Sequence, residues 1–248
     1  MIGLSSLRLI ALTAFSLFVT QAQPSRETQT SPFGVGERLD YEVSFGPVHV
    51  GSGMMSVVGM DTVAGEPVWH AMLAISGGIP LFRVRDTTAS WFTPGSFISR
   101  RFVQHLREGR YHADRDFRMD PDHGVYWHGT SSDSLPSIDP MDDISLLYYV
   151  RTLPLVDGDQ YELRRYFQST GNPIVIRVIR HERITVPAGS FDAVLVEPRI
   201  ATPGIFADEG RAQVWFSADA DRFLLQLKAH VKFGSLSMYL RRISRGGT

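Results

Sequence analysis

The chain has 248 residues, 43% of them apolar and 21% charged, with no cysteine and a formal net charge of −1. That is ordinary globular composition, and it excludes disordered, collagenous and disulfide-stapled classes. Without thiols there is no thiolate nucleophile, cysteine zinc site, iron–sulfur cluster or lipid attachment through an N-terminal cysteine, and balanced charge gives no field to steer nucleic acid.

Residues 1–22 read as an export signal. Arg8 supplies the positive charge, Leu9 to Thr20 form an apolar run of 12, and Thr20-Gln21-Ala22 offers a small-residue cleavage site. The run is well short of the ~20 residues that span a bilayer. The expected mature chain carries no transmembrane segment and is soluble, exported and not lipidated, and a Gram-negative periplasm fits it best. Residues 23–36 (QPSRETQTSPFGVG) are polar and proline-containing, a flexible leader that orders where Phe33 docks.

From residue 37 onward, period-2 alternation dominates. Leu39, Tyr41, Val43 and Phe45 alternate with polar residues over 38–45, as in a strand with one buried and one wet face. Further candidate strands fall near 48–60, 67–76, 81–92, 97–108, 111–119, 124–130, 160–168, 173–185, 190–200 and 210–217. The turn sequences Thr93-Pro94-Gly95, Asp120-Pro121-Asp122-His123-Gly124 and Val186-Pro187-Ala188-Gly189 separate several of them. At the end, Leu225 to Phe233 alternate cleanly, Gly234-Ser235 suits a two-residue type II′ turn, and Leu236, Met238 and Leu240 return.

Asp139 to Arg151 breaks this rhythm and reads as a helix, with Asp139 as N-cap and Pro140 at the first position. It is apolar on most sides, which buries it. The expected fold is mainly β: a single domain, 37–245, of antiparallel, strongly curved or barrel-like sheet, plugged or capped by one helix at about 139–151.

The residues also resemble a known family. The opening Phe33-Gly34-Val35-Gly36-Glu37-Arg38-Leu39-Asp40-Tyr41-Glu42-Val43, the Gly46…Gly51 step, the IDPMDDISLLYYVR helix, the TVPAGSFDA hairpin and the closing VWFSADADR and FGSLSMYL segments stand in the order of DUF3108, a family of exported bacterial proteins. The resemblance spans roughly 33–243. It implies an exported, mostly β-fold, and it brings no established activity and no catalytic residues.

Candidate chemistry is sparse. His123 and His128 with Asp120 and Asp122 form the one dense polar constellation, but these are ordinary hairpin residues, and five positions place the two histidines on opposite strand faces. Asp114, Asp116, Asp120 and Asp122 lack the distal glutamate of a calcium loop and are expected to pair with Arg110, Arg115 and Arg118. There is no G-x-S-x-G elbow, phosphate loop or dinucleotide fingerprint. The sequence thus points to no metal, no cofactor and no catalytic residue. The 23 arginines against two lysines make any arginine cluster weak evidence by itself.

Aromatic and methionine content is more informative. Phe45, Met55, Trp69, Phe82, Trp91, Phe102 and Trp127 all fall in candidate strands. A curved sheet of about 11–13 strands can enclose an apolar cavity, which these residues would line. Ser76-Gly77-Gly78-Ile79-Pro80-Leu81-Phe82 reads as an apolar flap at its mouth. The expected function is non-catalytic binding of a lipid or other hydrophobic envelope component. The alternatives are an envelope structural or protein-interaction module without a small-molecule ligand, and an envelope polymer hydrolase.

Overall fold

The computed structural model describes residues 31–79, 82–201, 212–231 and 234–246. The export signal and most of the leader lie outside them. Fourteen strands and one helix follow in chain order. They are β1 (Arg38–Phe45), β2 (Val48–Val63), β3 (Glu66–Ile79), β4 (Phe82–Phe92), β5 (Ser99–Glu108), β6 (Tyr111–Asp120), β7 (Val125–His128), β8 (Ser131–Ser134), α1 (Asp143–Val150), β9 (Gln160–Leu163), β10 (Ile174–Val186), β11 (Gly189–Arg199), β12 (Gln213–Ser217), β13 (Leu224–Val231) and β14 (Gly234–Ser244).

All fourteen strands form one antiparallel sheet in the order β8-β7-β6-β5-β4-β3-β2-β1-β14-β13-β12-β11-β10-β9. The first and last strands therefore pair at its centre, Val43 opposite Met238 and Tyr41 opposite Leu240. The two edges, β8 and β9, come from the middle of the chain, and the segment joining them carries the helix. The sheet is strongly curved but not closed. Both edge strands have only four residues, and β8 is wholly exposed and polar (SSDS), features that blunt an edge against pairing.

Alternation works as the sequence implies. Leu39, Tyr41, Val43, Met55, Val57, Leu73, Ile75, Phe92, Phe102, Phe117, Leu227, Met238 and Leu240 face inward and are buried. The helix lies across this concave face. Leu146, Leu147 and Val150 pack on Val196, Val214 and Phe216, leaving a void of only about 10 Å³. Phe167, from the segment after β9, fills the space beneath β5 to β7, with its ring 5.0 Å from Phe117 and 5.9 Å from Phe102.

The helix begins later than the sequence suggests. Its N-cap is Asp142, not Asp139: Asp142 Oδ1 accepts from the Ile144 and Ser145 N–H groups at 2.8 and 3.0 Å, and the Asp142 N–H donates back to Ser145 Oγ. These reciprocal contacts satisfy three backbone N–H donors at the start of the helix. Asp139 is instead engaged by Ser137 and Arg165.

The final hairpin also shifts. Val231 pairs with Gly234 and His230 with Ser235, so Gly234-Ser235 belongs to the returning strand and not to the turn; residues 232–233 lie outside the described residues. β8 is a strand that alternation does not reveal, because all four of its residues are polar.

Candidate functional site

The strands define two ends. At one, β2 and β3 join through Ala64-Gly65, and β4 and β5 join through residues 93–98. The helix closes this end. The Ser99 N–H donates to the Pro140 carbonyl at 2.8 Å, and the Phe97 ring lies 5.6 Å from Tyr149. Asp142, fully buried, accepts from the Ser90 hydroxyl at 2.5 Å, and its N–H also reaches Ser99 Oγ.

Burial pushes the Asp142 carboxyl up to about 6. Burial and the neighbouring Asp142 charge push Asp143 up to about 7. Asp142 holds two amides and the Ser90 hydroxyl, which favour its ionised form, while Asp143 has the Tyr166 phenol at 3.2 Å. The proton of this pair therefore sits on Asp143.

Past the helix, Arg151 is fully buried. Its guanidinium makes a bidentate pair with Glu37 at 2.6 and 2.9 Å and donates to the carbonyls of Pro32 and Asp221. Phe33 docks as expected, buried against Tyr148 at 4.6 Å and beneath the Arg151 guanidinium at 5.1 Å.

The other end, called the open end below, carries no α-helix among the described residues. Here β1 and β2 turn through Gly46-Pro47, β5 and β6 turn through Gly109-Arg110, and β3 and β4 reach Ile79 and Phe82. The sequence-predicted flap is thus largely ladder: Gly77, Gly78 and Ile79 pair with Val84, Arg83 and Phe82, and Pro80 and Leu81 lie outside the described residues.

Bare backbone makes the tight curvature just below this rim possible. A Cβ on Gly51 would stand 2.1 Å from the Ser76 carbonyl oxygen, and one on Gly77 would stand 2.4 Å from that of Val50. Along the rim Val48, Ile79, Phe82 and Tyr111, on β2, β3, β4 and β6, are 56%, 45%, 47% and 48% exposed. The Phe82 ring lies over Gly109, linking two hairpins. Exposed Arg83 and Arg110 flank them.

Just inside the rim, the concave face turns polar. Asp86 accepts from the Arg107 backbone N–H at 2.8 Å. Burial and the hydrogen-bonded Asp86 carboxylate beside it raise Glu108. Arg115 bridges the Tyr111 hydroxyl and Gln104. Two carboxyls in direct hydrogen bond lack the ~5–9.5 Å separation that paired glycosidase carboxylates need.

The seven aromatic and methionine residues singled out in the sequence do not converge on one cavity. Met55 and Phe102 are packed into the core. Trp69 is half-buried near the closed end, 5.8 Å from Phe33. Phe45 and Phe82 reach the open end. Trp91 and Trp127 stand on the convex face, because their neighbours Phe92 and Tyr126 take the inward positions. Trp91 is enclosed there: it stacks on His70 at 4.3 Å, Arg101 covers it at 4.9 Å, and its indole N–H donates to Asp61.

His123 pairs with Asp120, while His128 stacks on Phe117. No group of three or more metal-ligating side chains occurs among the described residues. Asp114 and Asp116 pair across strands with Arg107 and Arg101, so the expected Arg110 and Arg115 are not their partners; Arg118 approaches Asp116 only to 3.9 Å.

A plugged, incompletely closed antiparallel sheet with one apolar-rimmed end defines a class of β-barrel-like domains. The chain belongs to DUF3108, a protein family of unknown function whose model matches residues 40–241.

In fold it is similar to a β-barrel-like protein of the domain of unknown function DUF1849 from Brucella abortus. The TM-score is 0.55 at 9% identity, with 87% of this chain and 99% of that one covered. A Parabacteroides distasonis protein described as a candidate lipoprotein matches with TM-score 0.38 at 13% identity, covering 87% and 99%. A Bacteroides fragilis protein described as a candidate exported protein with a YmcC-like fold matches with TM-score 0.38 at 11% identity, covering 86% and 98%. No curated protein is matched by this sequence. No helix among the described residues is long and apolar enough to cross a membrane.

Proposed function

We propose that this is a non-catalytic periplasmic protein, not lipidated, that binds a lipid or other hydrophobic component of the envelope. The binding place is the open end of the sheet, not its interior. A void of about 10 Å³ holds at most one water, so an acyl chain has no room beneath the helix.

The observation that carries the reading is the rim. Four half-exposed apolar side chains, Val48, Ile79, Phe82 and Tyr111, stand at this end on β2, β3, β4 and β6, with arginines around them. Apolar side chains grouped this way at a surface mark an interaction site, whereas singly scattered ones do not. Arginines beside an apolar rim suit a ligand with an anionic head and a hydrocarbon body. The export signal read in the sequence supports an envelope location.

The test is native mass spectrometry of protein exported to a periplasm and purified without detergent, comparing the wild type with Ile79→Ser/Phe82→Ser. Ile138→Ser serves as control, since Ile138 is the most exposed large apolar side chain among the described residues and lies in the segment leading to α1, not at the rim. The expected result is a dissociable lipid mass on the wild type and the control, absent from the rim variant. A clean apo mass on the wild type, or lipid retained by the rim variant, would overturn the reading.

A further inference from the structure

The convex face of the sheet carries a second feature, independent of the open end. Between β1 and β14 the register slips: Asp40 faces Arg242 and Tyr41 faces Leu240, leaving Arg241 as the extra residue of a bulge. Bulges re-aim side chains, and this one does so. Leu240 is fully buried, while the next two residues, Arg241 and Arg242, are both exposed. Two adjacent guanidiniums thereby reach the same face, where regular alternation would place one.

They wall a groove of about 490 Å³, whose other lining includes Arg38 and Asp40 from β1, Ser52 and Met54 from β2, and Ala74 and Ser76 from β3. The groove exists because small side chains from neighbouring strands are set side by side: Ser52 pairs with Ser76, and Met54 pairs with Ala74. Asp40, set low between the arginines, accepts from Arg38 at 2.8 Å and from Arg242 at 2.7 and 2.9 Å. One carboxylate thus serves two guanidiniums and fixes their positions. Glu42 stands 3.9 Å from Arg241, which is beyond a hydrogen bond. Arg85, opposite Ser76 in the β3–β4 ladder, adds a further cation at the margin.

We propose that this groove is a binding site for a phosphate group carried on a larger polar body. Three arginines converge on a hollow already supplied with one deep-set carboxylate that orients two of them, so the arrangement amounts to more than arginine abundance. Each guanidinium keeps N–H donors beyond those spent on Asp40, in the planar fork that matches phosphate oxygens two at a time. The Ser52 and Ser76 hydroxyls supply a polar floor. A volume in the range of small-molecule sites, about 300–1,000 Å³, exceeds what a free phosphate fills, so the phosphate arrives attached to something. A soluble phosphoester and a phospholipid head group share this chemistry.

The test uses the full mature chain in two arms. Isothermal titration with inorganic pyrophosphate at low ionic strength reads the soluble phosphate chemistry. Co-sedimentation with phosphatidylglycerol vesicles, taken as the difference from phosphatidylcholine vesicles, reads a lipid head group and cancels the apolar part of any contribution from the rim; the groove variants separate the site from the rim arginines. The variants are Arg241→Ser/Arg242→Ser, and Ser52→Phe, which fills the floor while keeping every charge. Arg118→Ser, on the same face but outside the groove, is the control.

The expected result is binding in at least one arm that weakens at least tenfold in both groove variants and with added salt, and that Arg118→Ser leaves alone. Pyrophosphate binding assigns the site to soluble phosphoesters. Head-group-dependent sedimentation without pyrophosphate binding assigns it to a lipid. No binding in either arm, or binding that survives both groove variants in protein with an unchanged melting profile, would overturn the assignment.

Discussion

Replacing Arg151 by Met removes a buried cation on which two distant segments, 32–37 and the turn at Asp221, converge. Its side chain has no exposure and that of Glu37 has 7%. In the variant, Glu37 keeps its place under the helix but loses both guanidinium bonds, while Pro32 and Asp221 each lose a donor to a backbone carbonyl. Leaving one member of a buried pair uncompensated typically costs about 3–5 kcal/mol. For a domain of this size each kcal/mol moves the melting point by roughly 2–4 °C, so the expected fall is about 6–20 °C.

The double variant Arg151→Met/Glu37→Leu separates charge from packing. Removing both charges from an apolar site is often close to neutral, so the double variant is expected to recover most of the loss. Urea unfolding followed by tryptophan fluorescence gives all three free energies, with Trp69 and Trp215 as reporters of the two halves of the sheet. A single variant less than about 1 kcal/mol below the wild type would refute the argument that the pair holds the closed end together. So would a double variant as unstable as the single one, because the loss would then belong to the arginine's packing.

The Asp142–Asp143 pair gives stability a pH dependence of definite sign. Because the folded state raises Asp143 to about 7, it binds that proton more tightly than the unfolded chain does. The contribution is therefore full below the ordinary carboxyl range and is lost as pH rises through 7. Asp143→Asn should stabilise the protein at pH 8 by about 1–2 kcal/mol, less than the full displacement implies because Asp143 is only half-buried, and should be neutral near pH 4. Urea midpoints at the two pH values check this, and a gain at pH 4 would contradict it. Gly77→Ala places a methyl 2.4 Å from the Val50 carbonyl oxygen and should destabilise by about 1–3 kcal/mol. Amide exchange should quicken at 48–52 and 75–79 while α1 stays protected, and uniform quickening across the sheet would show that the strain is not local.

What the sequence shows and what it hides divide along a physical line. Strands betray themselves through local alternation, and twelve of the fourteen coincide with periodic segments to within a few residues. The two short edge strands depart most. β8 has no apolar residue to alternate, and β9 stops at Leu163 because its partner β10 begins at Ile174. The shifted final turn has a similar cause. A glycine is a strong local turn signal, but the register of β14 is settled by distant pairs, Leu236 with Phe45 and Met238 with Val43.

Face assignment is where sequence reading fails for the candidate site. In Trp91-Phe92 and Tyr126-Trp127 two aromatics are adjacent, alternation must send one of each outward, and nothing local says which. Packing on the helix and on Phe167 takes Phe92 and Tyr126 inward, and the tryptophans are left to the convex face. The Arg241-Arg242 step is likewise plain in the sequence, but the bulge that turns both side chains outward depends on β1.

The connectivity explains why the two ends differ. With the first and last strands paired at the centre, the sheet grows outward in both directions, and its edges are joined only by the segment from Leu135 to Asp159. That segment must cross the concave face to get from one edge to the other, and it carries the helix with it. The plug is thus the crossover itself, and it is tied at the closed end through Ser90, Ser99 and Arg151. Among the described residues, no α-helix lies over the hairpins at the opposite end. They are free to carry apolar residues outward at Val48, Ile79 and Phe82, where the same residues at the closed end would be covered. A ligand confined within the barrel would have to displace the chain's own crossover, whereas one held at the rim would not. Recognition in a fold of this connectivity is therefore expected at the open rim and on the outer face, and substitutions beneath the helix should act on stability first.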